Sequence, residues 1–134
     1  MKGRKFLILF PLLALVLTSL ACGGSFTTAN IPEAWMSTDE AGSNRTSVFT
    51  QDAVFYAQVQ LKNAPDDTTV KAVWTAVSAE GVDPNFVIDE TEFTSSDDLI
   101  HFSLSNDQLW PPGQYQVEIF LNGSLDKTLT FSVQ

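Results

Sequence analysis

From residue 53 onward the apolar positions fall into a period of two. Phe55, Ala57, Val59 and Leu61 alternate with Val54, Tyr56, Gln58 and Gln60, the pattern of a strand that buries one face. Asn63-Ala64-Pro65-Asp66-Asp67 closes that strand as a turn. Residues 69–79 predict a second strand, rich in β-branched residues and carrying Trp74. Both of its parities are apolar, with Val70, Ala72, Trp74 and Ala76 on one and Val73, Thr75 and Val77 on the other, which predicts a central position. After a turn at 81–85, residues 86–93 form a weaker strand whose apolar parity shifts between Ile88 and Phe93, a sign of a bulge or an early end. Ile100, Phe102 and Leu104 mark one face of the next strand, with Leu99, His101 and Ser103 on the other.

Trp110-Pro111-Pro112-Gly113 stops the chain and opens a hairpin. Tyr115, Val117, Ile119 and Leu121 share a face, which Leu129, Phe131 and Val133 continue. Asn122-Gly123 lies between them, and both residues accept the positive φ of a type I′ turn. Upstream, residues 31–36 offer a first edge strand in which Pro32 is tolerated, and 38–45 reads as a loop. About seven short strands, no convincing helix in the mature chain, and turns roughly every ten residues predict an all-β fold, an antiparallel two-sheet sandwich.

The hydropathy of the first residues has a different character. Lys2, Arg4 and Lys5 precede an apolar run over 6–17 interrupted by Pro11, and small residues follow. That order is a secretory signal peptide, and the run falls short of the roughly 20 apolar residues that a membrane-spanning helix needs. Cys22 is the one cysteine in the chain. It is either an incidental thiol beside an ordinary cleavage site or a modified residue. Modification is favoured because a lone thiol in an exported protein is open to oxidation.

Ser19-Leu20-Ala21-Cys22 resembles the lipobox of bacterial lipoproteins, with the leucine two residues before the cysteine where the family commonly has it three before. The resemblance implies that the leader is cut before Cys22 and that the cysteine is diacylated on sulfur, the new amine often being acylated as well. Two or more acyl chains hold a protein lastingly on a membrane. The expected organisation is a signal peptide over 1–21, then lipidated Cys22, a flexible spacer and a possible edge strand over 22–45, and a sandwich over 46–134. The expected location is the cell membrane, lipid-anchored on its extracytoplasmic side.

A second resemblance lies in the C-terminal half. The run from Pro111 through Gly123, followed by residues 128–134 and preceded by a tryptophan on an early strand, is similar to the immunoglobulin-like or fibronectin-III-like domains of bacterial surface lipoproteins. It implies that Trp74 is the central tryptophan and that Tyr115 forms a tyrosine corner. The intersheet cysteines of antibody domains are absent. Such domains serve as inhibitors, adhesins, sugar-binding modules or spacers, so the resemblance speaks to fold and leaves function open.

Composition narrows the chemistry. Removing residues 1–21 leaves roughly 113 residues, one domain's worth. Arg45, Lys62, Lys71 and Lys127 then stand against 16 acidic residues, a net charge of about −12. Such a surface repels nucleic acid phosphates, so a nucleic acid partner is not expected. His101 is the sole histidine and sits in mid-strand, and no nucleophile elbow, phosphate loop or His/Cys cluster is present. Neither a catalytic set nor a cofactor is therefore expected. Asp66-Asp67, Asp97-Asp98 and the group Asp89, Glu90 and Glu92 supply oxygens that calcium accepts, but without the spacing of a calcium loop they read as solvated turns. Trp35, Tyr56, Trp110 and Phe120 are the candidates for a binding surface. They suit an envelope protein partner or, if two or three were coplanar and exposed, a glycan. A non-catalytic binding or spacer module is the leading expectation, a carbohydrate-binding module the alternative, and a proteinase inhibitor a weaker third.

Overall fold

The computed structural model describes residues 28–134, so the leader and Cys22 lie outside the described residues. The described residues form eight strands and no helix: β1 Asn30–Ser37, β2 Val48–Phe49, β3 Phe55–Lys62, β4 Thr69–Ala79, β5 Phe86–Thr94, β6 Leu99–Leu104, β7 Gly113–Leu121 and β8 Ser124–Val133. They build two sheets, ordered β1-β3-β6 and β2-β8-β7-β4-β5. The number exceeds the expected seven by β2, which has only two residues. β2 also departs from the antiparallel expectation, because it pairs parallel to β8. The first edge strand is present as β1, paired with β3, and its Ile31 and Met36 are buried in the core. The sandwich therefore begins at β1.

The period-two pattern finds its partner in the opposite sheet. β3 presents Phe55, Ala57, Val59 and Leu61 to the interior, where they meet Val70, Ala72, Trp74 and Ala76 of β4 and Tyr115, Val117 and Ile119 of β7. β4 lies between β7 and β5, the central place that its two apolar parities predict. The parity shift in β5 is a bulge, with register passing from Asp89 opposite Trp74 to Val87 opposite Thr75, so that Ile88 is the extra residue. Asn122 and Gly123 take φ values of 49° and 86°, and Leu121 pairs with Ser124 across the turn. Asn122 also ties the hairpin to β4, since its amide oxygen accepts a hydrogen bond from Thr69 N at 3.0 Å.

Phe55, fully buried, is surrounded by rings. Trp110 stacks on it at 4.6 Å, Phe131 and Phe49 meet it edge-on at 4.8 and 5.0 Å, and Tyr115 and Trp74 follow at 5.8 and 6.3 Å. Tyr115 makes the expected corner, its hydroxyl donating to Pro111 O at 2.6 Å. Burial raises the Tyr115 phenol above its ordinary pKa of 10.0, because the low-dielectric interior disfavours the phenolate.

Gly113 allows the closest approach of backbones. Its φ is +152°, and an added Cβ would strike Ser78 O and lie 2.6 Å from Ala79 Cα. Gly113→Ala is expected to destabilise the protein by about 2–4 kcal/mol, because the obstruction is backbone. Gly123→Ala meets no atom within 4 Å and should cost only the left-handed conformation, about 1–2 kcal/mol. Urea unfolding of the two variants checks the order.

Tyr115 predicts a pH effect. A phenol whose pKa is raised on folding contributes stability that is complete below the unfolded value of 10.0 and is lost as pH rises through the folded value. Tyr115→Phe is expected to cost about 1 kcal/mol at neutral pH through the lost hydrogen bond, and to flatten the alkaline fall in stability seen in thermal melts.

Candidate binding surface

The four aromatic candidates do not share a surface. Trp110 is buried at 5% exposure, which leaves its ring no open face on which a ligand could stack. Its indole N–H donates to Ala53 O at 2.9 Å, its backbone N–H donates to Gln51 O at 2.8 Å, and its ring covers Phe55 at one end of the core. The ring is held there from both sides of its backbone, because Gln51 Nε2 also donates to Trp110 O at 2.9 Å.

Trp35 and Tyr56 lie on the outer face of the three-stranded sheet, Tyr56 as its parity predicts. Trp35 is opposite Gln58, which is opposite His101, while Tyr56 is opposite Ser103. The chain itself covers the middle of this face. The loop over 38–44 folds back so that the buried Gln58 amide donates to Glu40 O at 2.9 Å and to Ser37 Oγ at 3.2 Å. Trp35 Nε1 donates to Gly42 O at 3.0 Å. The Asp39 carboxylate holds the turn by accepting from the backbone N–H of Asn44 at 2.8 Å and of Ser43 at 3.0 Å. These bonds, that from Asn44 foremost, keep its pKa below the ordinary carboxylate value.

Arg45 was not among the sequence candidates, yet it decides what Trp35 can do. Its guanidinium sits 3.9 Å from the centre of the Trp35 ring and pairs with Glu33 at 2.7 Å. That hydrogen bond lowers the Glu33 pKa and raises that of Arg45. A cation over an indole gains from the ring's electron-rich face, and here it covers the face on which a sugar would stack. Tyr56 meets His101 edge-on at 6.0 Å, so it does not extend Trp35 into a flat platform. His101 lies 3.5 Å from the Glu40 carboxylate. A groove of about 490 Å³ runs beside Trp35 and Arg45, with Thr128, Leu129 and Thr130 as its far wall.

Phe120 is on the opposite side of the molecule. It points outward from the five-stranded sheet beside Lys71 and Leu125, and the Lys71 ammonium lies 4.8 Å from the ring centre. The paired aspartates of 66–67 and 97–98 come to one end of the sandwich, where Ser95 N bonds Thr68 O at 2.9 Å and Leu61 N bonds Asp98 O at 2.8 Å. Among the described residues no three acidic, histidine or cysteine side chains are placed to hold a metal ion. No helix among them is long and apolar enough to cross a membrane.

Over 81% of its length the chain is similar to an immunoglobulin-like protein from Pseudomonas aeruginosa, of which it covers 98%, with a TM-score of 0.56 and 14% identity. The fold is immunoglobulin-like. A similar arrangement occurs in an alkylpurine DNA glycosylase from Pseudomonas fluorescens bound to DNA containing an abasic site analogue, with a TM-score of 0.53, 13% identity and 87% of this chain covered. It occurs again in a mutant β-glucosidase from Listeria innocua in complex with laminaribiose, with a TM-score of 0.50, 14% identity and 80% covered. The immunoglobulin-like chain spans 33% of the first enzyme and 16% of the second. At these identities the likeness is one of fold. Neither a protein-family model nor a curated protein matches the sequence.

Arg45→Ala should bare the Trp35 ring and release Glu33. Tryptophan emission is expected to move to the red, since Trp74 and Trp110 are buried and only Trp35 gains water. The Glu33 carboxyl should titrate upward, toward its ordinary 4.5, in a carboxyl-detected NMR titration.

Proposed function

We propose that this chain is a lipid-anchored, extracytoplasmic immunoglobulin-like module that works by binding or spacing and not by catalysis. The observation that carries the reading is the conjunction of a basic-then-apolar run over residues 1–21 just before Cys22 with a sandwich that starts at Asn30. Only residues 23–27 separate Cys22 from Thr28, whose hydroxyl donates to Asn63 O at 3.2 Å. A short tether on a self-contained domain suits a protein held at a membrane surface. The likeness to an immunoglobulin-like protein over nearly that protein's whole length supports the fold of the module.

Catalysis is disfavoured by the way the reactive groups are spent. His101 meets Glu40 and Tyr56 on an outer face, and the Tyr115 hydroxyl is committed to Pro111. A net charge near −12 on the mature chain argues against a nucleic acid ligand. Arg45 over Trp35, together with the burial of Trp110, weighs against a sugar platform and in favour of a protein partner.

Expression of the full chain in a bacterial host tests the anchor. The wild type is expected in the membrane fraction, with a mature N-terminus at an acylated Cys22, and Cys22→Ser in the soluble fraction. An unmodified cysteine in the mass spectrum, or cleavage elsewhere, overturns it.

A further inference from the structure

Among the described residues, β5 is the one long strand without a buried side chain, although its Ile88 packs partly against the core. It pairs with β4 along one edge, and among the described residues no strand pairs with its other edge. None of its nine residues is buried, and Phe86, Val87 and Phe93 are exposed at 52%, 49% and 42%. The other sheet edges are closed or short. β1 carries Pro32, which has no N–H to offer, and Ser37 at its end is bridged to Arg45. β2 has two residues. β6 has six and turns Ile100, Phe102 and Leu104 into the core. An unpaired strand edge of about 30 Å presents a row of hydrogen-bonding groups, and natural proteins usually blunt such edges with lysine, proline or a cover.

We propose that the free edge of β5 is a docking edge for an extended segment of another protein in which lysine or arginine alternates with apolar residues. This rests on the reading of the chain as a binding module. Charge selects the occupant. Asp89, Glu90 and Glu92 stand on β5 opposite Trp74, Val73 and Lys71, so only Glu92 has a cation across from it. A second copy of the chain is a poor partner, since β5 paired antiparallel with itself sets carboxylate against carboxylate, and like charges directly opposite destabilise a sheet. A basic strand meets the same carboxylates favourably.

The flanks of β5 supply places for apolar side chains. A cavity of about 220 Å³ lies beside Phe86 and Ile88, walled by Ala76, Val82, Trp110 and Tyr115. A second of about 400 Å³ lies beside Phe93 and is lined by Leu99, Ile100 and His101. Phe93 stacks on Phe102 of β6 at 5.0 Å and so separates the two. Phe86 and Phe93 are seven residues apart, about 23 Å along a strand. Apolar side chains six residues apart on one face of an added strand would span about 20 Å and could enter both cavities. Strand addition of this kind takes its affinity from main-chain bonds and its specificity from alternate side chains.

The test uses the full chain in detergent and a synthetic nine-residue peptide of alternating lysine and valine. The peptide is expected to bind and to slow hydrogen exchange of amides within 86–94. A glutamate–valine counterpart, and a peptide of the same lysine and valine content arranged in two blocks, should bind at least tenfold more weakly. Glu90→Lys combined with Glu92→Lys, both exposed positions, should reverse the preference between the lysine and glutamate peptides. Equal binding of alternating and block peptides means charge attraction without strand addition and overturns the proposal, as does new protection confined to other strands. Absence of binding overturns it too, while leaving the anchored module to be decided by fractionation of Cys22→Ser. The peptide comparison runs on the unaltered chain, so it stands even if the double variant does not fold.

Discussion

Phe55 joins the two sheets. It belongs to the three-stranded sheet, and Phe49, Trp74, Tyr115 and Phe131 reach it from the five-stranded one. Antibody domains pin the corresponding layers with a disulfide. Here a single cysteine has no second one to pair with in the chain, and aromatic burial must hold the layers together. Large rings suit that task, because each removes a wide apolar area from water and edge-to-face pairs add a further increment. The dependence runs outward from there. Trp110 covers Phe55 from the end, the Tyr115 hydroxyl fixes the 111–115 corner that carries Trp110, and Gly113 lets that corner pass against β4.

Much of this frame can be read from residue order. β3, β7 and β8 have one apolar face each, and the Asn122-Gly123 turn has a single favoured geometry, so the β7–β8 hairpin follows from local chemistry. Trp74 and Tyr115 take the places that the family resemblance implies. β2 is not legible, because two residues carry no period and their parallel partner, β8, lies more than 80 positions away. Trp110 misleads for a similar reason. Beside two prolines an aromatic reads as part of a loop, whereas the bond that fixes it reaches back to Ala53, 57 residues earlier.

The binding surface is less legible than the frame. Parity along a strand tells which way a side chain points from its own sheet, and it says nothing about which sheet that is. Tyr56 and Phe120 both point outward as their parity requires, but β3 and β7 belong to different sheets and the two rings face away from each other. The cover over Trp35 comes from Arg45, ten residues on, and depends on a loop that Asp39 folds back with its carboxylate. Nothing in the alternation of apolar residues encodes that return. The acidic composition, by contrast, is directly legible, and on β5 it discourages pairing of the edge with its own copies.

The position of β1 has a consequence for posture. Asn30 pairs with Lys62, and Thr28 bonds Asn63 O at 3.2 Å, so the tether leaves the sandwich at the end that carries the 63–68 and 95–98 loops. If Cys22 carries lipid as proposed, the same end would face the bilayer and would bring Asp66, Asp67, Asp97 and Asp98 toward the head groups. Anionic lipids would push that end away and draw the tether taut. The domain would then stand on the membrane like a post, with its C-terminus and the Trp110 end outermost and the length of β5 open to the side.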